Sequence, residues 1–185
     1  MITERWVILD RDGVINHDSD DFVRTVKQWR PIPGSIDAIA KLSRQGWRIS
    51  VATNQSGIGR GLFSRETVYA MHRKLRRLVR RAQGEVHDVV FCPHRPDENC
   101  DCRKPKPGMF YELQRRSGLN LEDAHVVGDS LRDLEAGQSV GATLWLVRTG
   151  KGLRTLEAVE EQAPDWWASV RVRDDLATIA LELTV

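Results

Sequence analysis

An α/β fold, with a mostly parallel sheet and helices on both faces, is predicted by two features of this 185-residue chain. Short β-branched or aromatic apolar runs alternate with segments of helical periodicity through at least residue 147, the order that βαβ crossovers leave in a sequence. The chemically loaded residues fall directly after the apolar runs, where the crevice of such a sheet binds its ligands. No repeat, low-complexity tract or Ser/Gly linker interrupts the chain, so one domain over residues 1–185 is expected.

The strands are predicted at residues 6–9, 47–52, 86–91, 124–127 and 143–147. The first helix is expected over 35–45, with Ile36, Ile39, Ala40 and Ser43 on one face and Gly46 at its carboxy-terminal end. A second spans 65–82, capped by Ser64 and presenting Val68, Met71, Leu75, Leu78, Val79 and Ala82 at helical spacing. A third follows Pro107 over 109–117 and stops at Gly118, and a fourth lies near 131–139. After Gly152 the tail reads as a helix, a short strand around 167–172 and a last helix over 174–183. Over 156–185 seven acids face two Arg, as on a solvated outer layer.

With 41% hydrophobic and 29% charged residues, the chain falls among ordinary globular proteins and outside the disordered or collagen-like classes. A net charge of +2 gives no basic excess of the kind a dedicated nucleic-acid binder carries. Three cysteines, an odd count, argue against a cystine-stapled secreted domain. The amino-terminal stretch lacks a basic segment followed by an apolar one, and no apolar run approaches the ~20 residues of a membrane span. A cytoplasmic protein with no membrane partner is expected.

Four segments carry candidate chemistry, each with an ordinary alternative. Asp10-Arg11-Asp12-Gly13 places two carboxylates at a strand end, either as a site for a hard divalent cation such as Mg²⁺ or as an Asx turn. Thr53-Asn54-Gln55-Ser56-Gly57 could cradle an anion or form a polar turn. Gly128-Asp129-Ser130-Leu131-Arg132-Asp133 reads as an acidic site or a helix N-terminus. Arg103-Lys104-Pro105-Lys106 is a stiffened cationic loop, facing either phosphate or solvent.

Together the four would converge on one crevice, and in this combination the sequence resembles the haloacid dehalogenase-like (HAD) phosphatase superfamily. Its motifs DxDx[TV], a hydroxylated residue after the second strand, a Lys and an acidic GD…D match Asp10 to Val14, Thr53, Lys104, and Gly128-Asp129 with Asp133, in order. The resemblance implies a Rossmann-like HAD fold. It implies Asp10 as nucleophile through an aspartyl-phosphate and Asp12 as general acid and base. Mg²⁺ would be held by Asp10, the Asp12 backbone carbonyl and Asp129, and Thr53 and Lys104 would donate to the phosphoryl oxygens.

A further cluster gathers every cysteine of the chain, Cys92, Cys100 and Cys102, with His94 as C-x-H-x5-C-x-C. Four such ligands in a loop over 92–102 predict a closed, tetrahedral structural Zn²⁺ site. Its spacing differs from that of two-knuckle fingers. Placed just before Arg103 and Lys104, the loop would act as a strut in place of a large cap domain.

DRDGVIN, TNQSGIGRG, CDCRKPKPGM and VRTGKG resemble, over roughly residues 5–152, the zinc-loop branch that holds heptose-bisphosphate 7-phosphatases and histidinol-phosphatases. That resemblance implies a monomeric Mg²⁺-dependent enzyme removing the C7 phosphate of a heptose 1,7-bisphosphate in precursor synthesis for lipopolysaccharide, with histidinol phosphate as the alternative substrate. A flap of Asp18, Ser19, Asp20 and Asp21 would contact sugar hydroxyls. Thr53, Asn54, Gln55 and Ser56 would line the pocket, and Arg103 would recognise substrate. Arg11 and Ser130 also count among the substrate-binding positions, although Ser130 stands where many relatives carry Lys.

Residues 60–81 hold eight Lys/Arg against one acid, which raises a third reading, a zinc-stabilised nucleic-acid module or DNA 3′-phosphatase. Tyr69 is the one aromatic of this helix, and core packing with a solvated opposite face explains it without nucleic acid. His17, His72, His87 and His125 show no metal-ligand spacing.

Overall fold

The computed structural model describes residues 5–185, so residues 1–4 of the amino-terminal stretch lie outside it. In chain order the elements are β1 (Arg5–Leu9), α1 (Ser35–Arg44), β2 (Trp47–Asn54), α2 (Arg65–Arg81), β3 (Asp88–Cys92) and α3 (Gly108–Ser117). There follow β4 (Ala124–Gly128), α4 (Leu131–Gln138), β5 (Thr143–Val147), α5 (Gly152–Glu161), β6 (Arg171–Arg173) and α6 (Leu176–Leu183). The strands form one six-stranded sheet ordered β3-β2-β1-β4-β5-β6, and each neighbouring pair runs parallel.

This order dictates where a site can form. From β1 the chain steps outward through β2 and β3, then returns to lay β4 on the other side of β1 and continues to β5 and β6. The crossovers on the two sides therefore diverge beyond the carboxyl ends of β1 and β4 and leave a crevice there. Asp10 and Asp129 are the residues just past those ends.

Both faces of the sheet are covered, which is why its strands read as continuous apolar runs. Val7 and Leu9 of β1 enter the core beneath α1, α2 and α6, and Trp6 and Ile8 enter the core beneath α3 and α4. Ser64 caps α2 as predicted, its side chain accepting from the Thr67 amide.

Three details differ from the sequence expectation. On α1 the buried residues are Ser35, Ala38, Ile39, Ala40 and Leu42, a face rolled from the predicted one because α6 packs on the flank of this helix. Val86 is buried but precedes the β3 ladder. The strand expected at 167–172 is displaced: Pro164 starts a 3-10 helix over Asp165–Ser169, and pairing with β5 begins only at Arg171. Trp166 and Trp167 pack at the edge of the second core. No helix among the described residues is long and apolar enough to cross a membrane.

Candidate active site

Asp10 leaves the sheet at the switch point, its amide still donating to the Val127 carbonyl of β4 at 2.9 Å. Three residues on, Gly13 turns the chain at φ +88°, and a Cβ there would overlap the Asp129 carboxylate. Glycine is therefore required by both the backbone angle and the close approach of the two loops.

Lys104 lies almost fully buried, and its ammonium spends all three donors inside the site. They go to Asp10 Oδ1 at 2.9 Å, Asp133 Oδ1 at 2.6 Å and the Ala52 carbonyl at 2.7 Å. The backbone of Lys104 is stapled to β2 by Asn54, which accepts from its amide and donates to its carbonyl, both at 3.1 Å. Asp133 also caps α4, accepting from the Ser130 amide at 3.1 Å and hydroxyl at 2.6 Å. Asp129 accepts from the Lys151 amide at 2.8 Å.

Carboxylate oxygens of Asp10, Asp129 and Asp133 lie within 4.8 Å of one another. A single ammonium cannot balance three anions. Burial, offset by Lys104 and reinforced by Asp133 and Asp12, pushes Asp10 up to about 6. Burial with the charges of Asp133 and Asp10 pushes Asp129 up to about 8. Burial would raise Asp133, but Lys104, with the Ser130 hydroxyl and the charge of Arg132, holds it below its ordinary value, and Asp10 and Asp133 hold Lys104 above its own against burial. Hard oxygen donors carrying excess negative charge fit a divalent cation such as Mg²⁺. Asp133, expected only as part of a motif, thus joins the carboxylate cluster, whereas the Asp12 side chain does not.

A pH dependence follows for the protein freed of magnesium. Folded-state values raised above 3.8 mean that ionisation of Asp10 and Asp129 opposes folding, fully so above about pH 8. Protonation on going down through about 8 and about 6 removes that opposition. Differential scanning calorimetry should show Tm rising from about pH 8.5 to about 5.5 without Mg²⁺, and a higher, flatter profile with it. Identical profiles in both conditions would contradict this reading of the cluster.

The Asp12 carboxylate is held by Arg11 Nη2 at 2.9 Å, Asn16 Nδ2 at 2.8 Å and Gln55 Nε2 at 2.8 Å. Burial alone would raise its pKa, but Arg11 and these hydrogen bonds lower it. Arg11, expected to touch substrate, is instead 1% exposed and lies beneath the cleft between Asp12, Gln55 and His72. Burial, then the adjacent guanidinium, depresses His72 to about 3, so it stays neutral. Gln55 also donates to Thr53 Oγ1 at 2.9 Å, which leaves the threonine hydroxyl proton free to donate elsewhere.

A cleft of about 320 Å³ opens over these groups. It brings together Asp10, Asp12, Asp18, Ser19, Asp20, Thr53, Asn54, Gln55, Ser56, Arg103, Lys104 and Asp129 of the predicted residues. It leaves out Arg11, Asp21 and Ser130: Asp21 is exposed, and the Ser130 hydroxyl is committed to Asp133. Arg60, Phe63, Arg132, Asp133 and Lys151 line it without having been singled out as substrate contacts, since only the folded loops bring them there. Arg103 is held below the ordinary range by burial, then by the charge of Arg132, with Arg60 adding to it. The flap is tied down by Asp18 to Lys151 at 3.0 Å and Asp20 to Arg154 at 3.3 Å. A larger hollow of about 400 Å³ shares Asp18, Ser19, Asp20 and Lys151 but holds none of Asp10, Thr53 and Lys104, so it lacks the chemistry.

Beside the cleft, Cys92, His94, Cys100 and Cys102 converge. Their ligand atoms are 3.6 Å apart for Cys92–His94, 3.5 Å for Cys92–Cys100, 3.3 Å for His94–Cys102 and 3.5 Å for Cys100–Cys102. A tetrahedron around zinc, with sulfur at about 2.3 Å and nitrogen at about 2.0 Å, has edges of about 3.5–3.8 Å. The thiols are free, so the cluster has the donor chemistry and nearly the dimensions of a zinc site. The Cys92 carbonyl accepts from the Gln55 amide at 2.7 Å, which couples the loop to the cleft.

A family model described as HAD-hydrolase-like matches residues 101–176. The chain is 55% identical over 179 residues to D-glycero-beta-D-manno-heptose-1,7-bisphosphate 7-phosphatase of Pseudomonas putida, covering 97% of this chain and 99% of that one. Identity to the enzyme of the same name from Bordetella bronchiseptica is 46% over 179 residues, with 97% of each chain covered. The crystal structure of the B. bronchiseptica D,D-heptose 1,7-bisphosphate phosphatase, complexed with magnesium and phosphate, superposes with a TM-score of 0.90 at 45% identity over 97% of both chains. On these matches the chain belongs to the D-glycero-beta-D-manno-heptose-1,7-bisphosphate 7-phosphatase family of HAD-like hydrolases.

Proposed function

We propose that this protein hydrolyses D-glycero-β-D-manno-heptose 1,7-bisphosphate at C7, giving the 1-phosphate and inorganic phosphate. The observation that carries the reading is the convergence of Asp10, Lys104, Asp129 and Asp133 under one cleft, in a chain so similar to enzymes of that name. With a value of about 6, Asp10 is mostly ionised at neutral pH and can attack phosphorus. The bond from phosphorus to the C7 oxygen breaks, and that oxygen takes a proton from Asp12. A water then attacks the aspartyl-phosphate, gives a proton back to Asp12 and releases phosphate from Asp10. Asp12 rests as a carboxylate, and a phosphate dianion arriving beside it raises its affinity for the proton it must deliver.

Thr53 and Lys104 donate to the phosphoryl oxygens as charge redistributes. Magnesium at the carboxylate cluster, the metal found with phosphate in the B. bronchiseptica relative, supplies neutralisation of phosphate charge. Zinc at the cysteine loop, a cytoplasmic location and a monomeric, single-domain state complete the proposal. Steady-state phosphate release from both heptose bisphosphate anomers, histidinol phosphate and a 3′-phosphorylated oligonucleotide tests it. The β anomer should show kcat/KM at least about tenfold above every other substrate. An equal or better value on histidinol phosphate would overturn the assignment.

A further inference from the structure

Arg11 stands between Asp10 and Asp12 in the chain, yet its side chain lines no part of the cleft. A guanidinium carries five N–H donors in a rigid fork, and here each has an acceptor. Nε reaches Asp12 Oδ1 at 3.2 Å, and Nη2 reaches Asp12 Oδ2 at 2.9 Å and Gln55 Oε1 at 3.0 Å. Nη1 faces Met71 Sδ at 3.6 Å and His72 Nε2 at 3.4 Å, both on α2. Arginine cannot accept, so the neutral His72 ring accepts through Nε2 and keeps its proton on Nδ1. Arg11, Gln55, Met71 and His72 are all buried, and Met71 belongs to the first core.

One side of the fork thus grips both oxygens of Asp12, and the other is seated on a core helix. Neutralising Asp12 would take only a point charge, which a lysine supplies; a fork held at both ends also fixes direction. Direction matters to a group that must pass a proton, because small misplacements cost large factors in rate.

We propose that Arg11, braced by His72, is a positioning residue: without touching substrate, it holds the Asp12 carboxyl group where its proton passes to the leaving oxygen as the phosphorus–oxygen bond breaks. The inference rests on the hydrolytic reading above and adds to it the pair of residues that aims the proton carrier.

The test grades the leaving group. For p-nitrophenyl phosphate, phenyl phosphate and heptose 1,7-bisphosphate, kcat/KM reports the step in which that oxygen departs. The need for a proton rises in that order, since nitrophenolate is a stable anion and an alkoxide is not. Asp12→Asn sets the scale. Arg11→Met should lose about 100-fold on the bisphosphate, about tenfold on phenyl phosphate and less than about threefold on the p-nitrophenyl ester. Arg11→Lys should regain about tenfold on the bisphosphate, because the charge survives while the fork does not. His72→Leu, which leaves Arg11 without one acceptor, should show the same grading with a loss of about three- to tenfold on the bisphosphate. Inorganic phosphate should inhibit every Arg11 and His72 variant within about twofold of wild type, the phosphate site being untouched.

Equal losses on all three esters, or no loss, would overturn the brace. Should circular dichroism show Arg11→Met unfolded, the lysine and leucine variants carry the same comparison. If Asp12→Asn is graded while the Arg11 and His72 variants are not, only the brace falls. If Asp12→Asn itself loses equally on all three, the proton-transfer role of Asp12 fails, and the brace with it.

Discussion

Asp10→Asn should eliminate phosphate release, with a fall of about 10⁴-fold or more in kcat, since no other carboxylate in the cleft is free to replace it. Asp12 is held by Arg11, Asn16 and Gln55, Asp133 by Lys104 and Ser130, and Asp129 accepts from Lys151. The fold should survive the change. Lys104 keeps Asp133 and the Ala52 carbonyl as partners, and the substitution removes a charge whose burial outweighs its pairing. The metal-free variant should therefore melt no lower than wild type at about pH 8, where ionisation of Asp10 opposes folding, and zinc content should be unchanged. Phosphate release within about tenfold of wild type, from a variant verified by mass spectrometry, would exclude Asp10 as nucleophile.

Cys102→Ser is expected to have the second-largest effect. Metal analysis should show zinc falling from about one per chain to near zero, because three ligands cannot close a tetrahedral structural site. The first core contains no residue of the loop, and Cys102 only packs against the edge of the second, so circular dichroism should stay near wild type. Activity should still drop about 10- to 100-fold, mostly in KM, since Arg103 follows directly on Cys102 and donates to the His94 carbonyl at 3.4 Å. Full activity in a zinc-free variant would show the cluster to be dispensable for positioning.

How much of this was legible in the sequence depends on the kind of neighbour involved. Asp10, Thr53, Lys104 and Asp129 could be grouped in advance because a parallel sheet brings all its carboxyl ends to one rim, whatever the side chains between them. The convergence of Cys92, His94, Cys100 and Cys102 was legible because the four fall within 11 residues. Arg11 was misplaced because its surroundings depend on how α2 lies on the sheet: Met71 and His72 accept its buried guanidinium, and no local spacing announces that. Asp133 was recognised as a motif member, but its contact with Lys104 joins residues 29 positions apart through the folded crevice. In the sequence Arg60 reads as one of the cations of a solvated face and Arg132 as part of a segment that is either an acidic site or a helix N-terminus, and only the fold brings both to the cleft. The strand expected from Trp167 onward is displaced because Pro164 starts a 3-10 helix over Asp165–Ser169.

The staple between Asn54 and Lys104 has a mechanical consequence. Arg103 and Lys104 are adjacent in sequence but belong to different bodies: the lysine is fastened to β2, and the arginine is hung from the cysteine loop through the His94 carbonyl. A change in the length or sway of residues 95–99 would shift the arginine while leaving the lysine against Asp10. Remodelling that one peripheral loop would therefore move a cation of the cleft wall and leave the ammonium that holds Asp10 where it is.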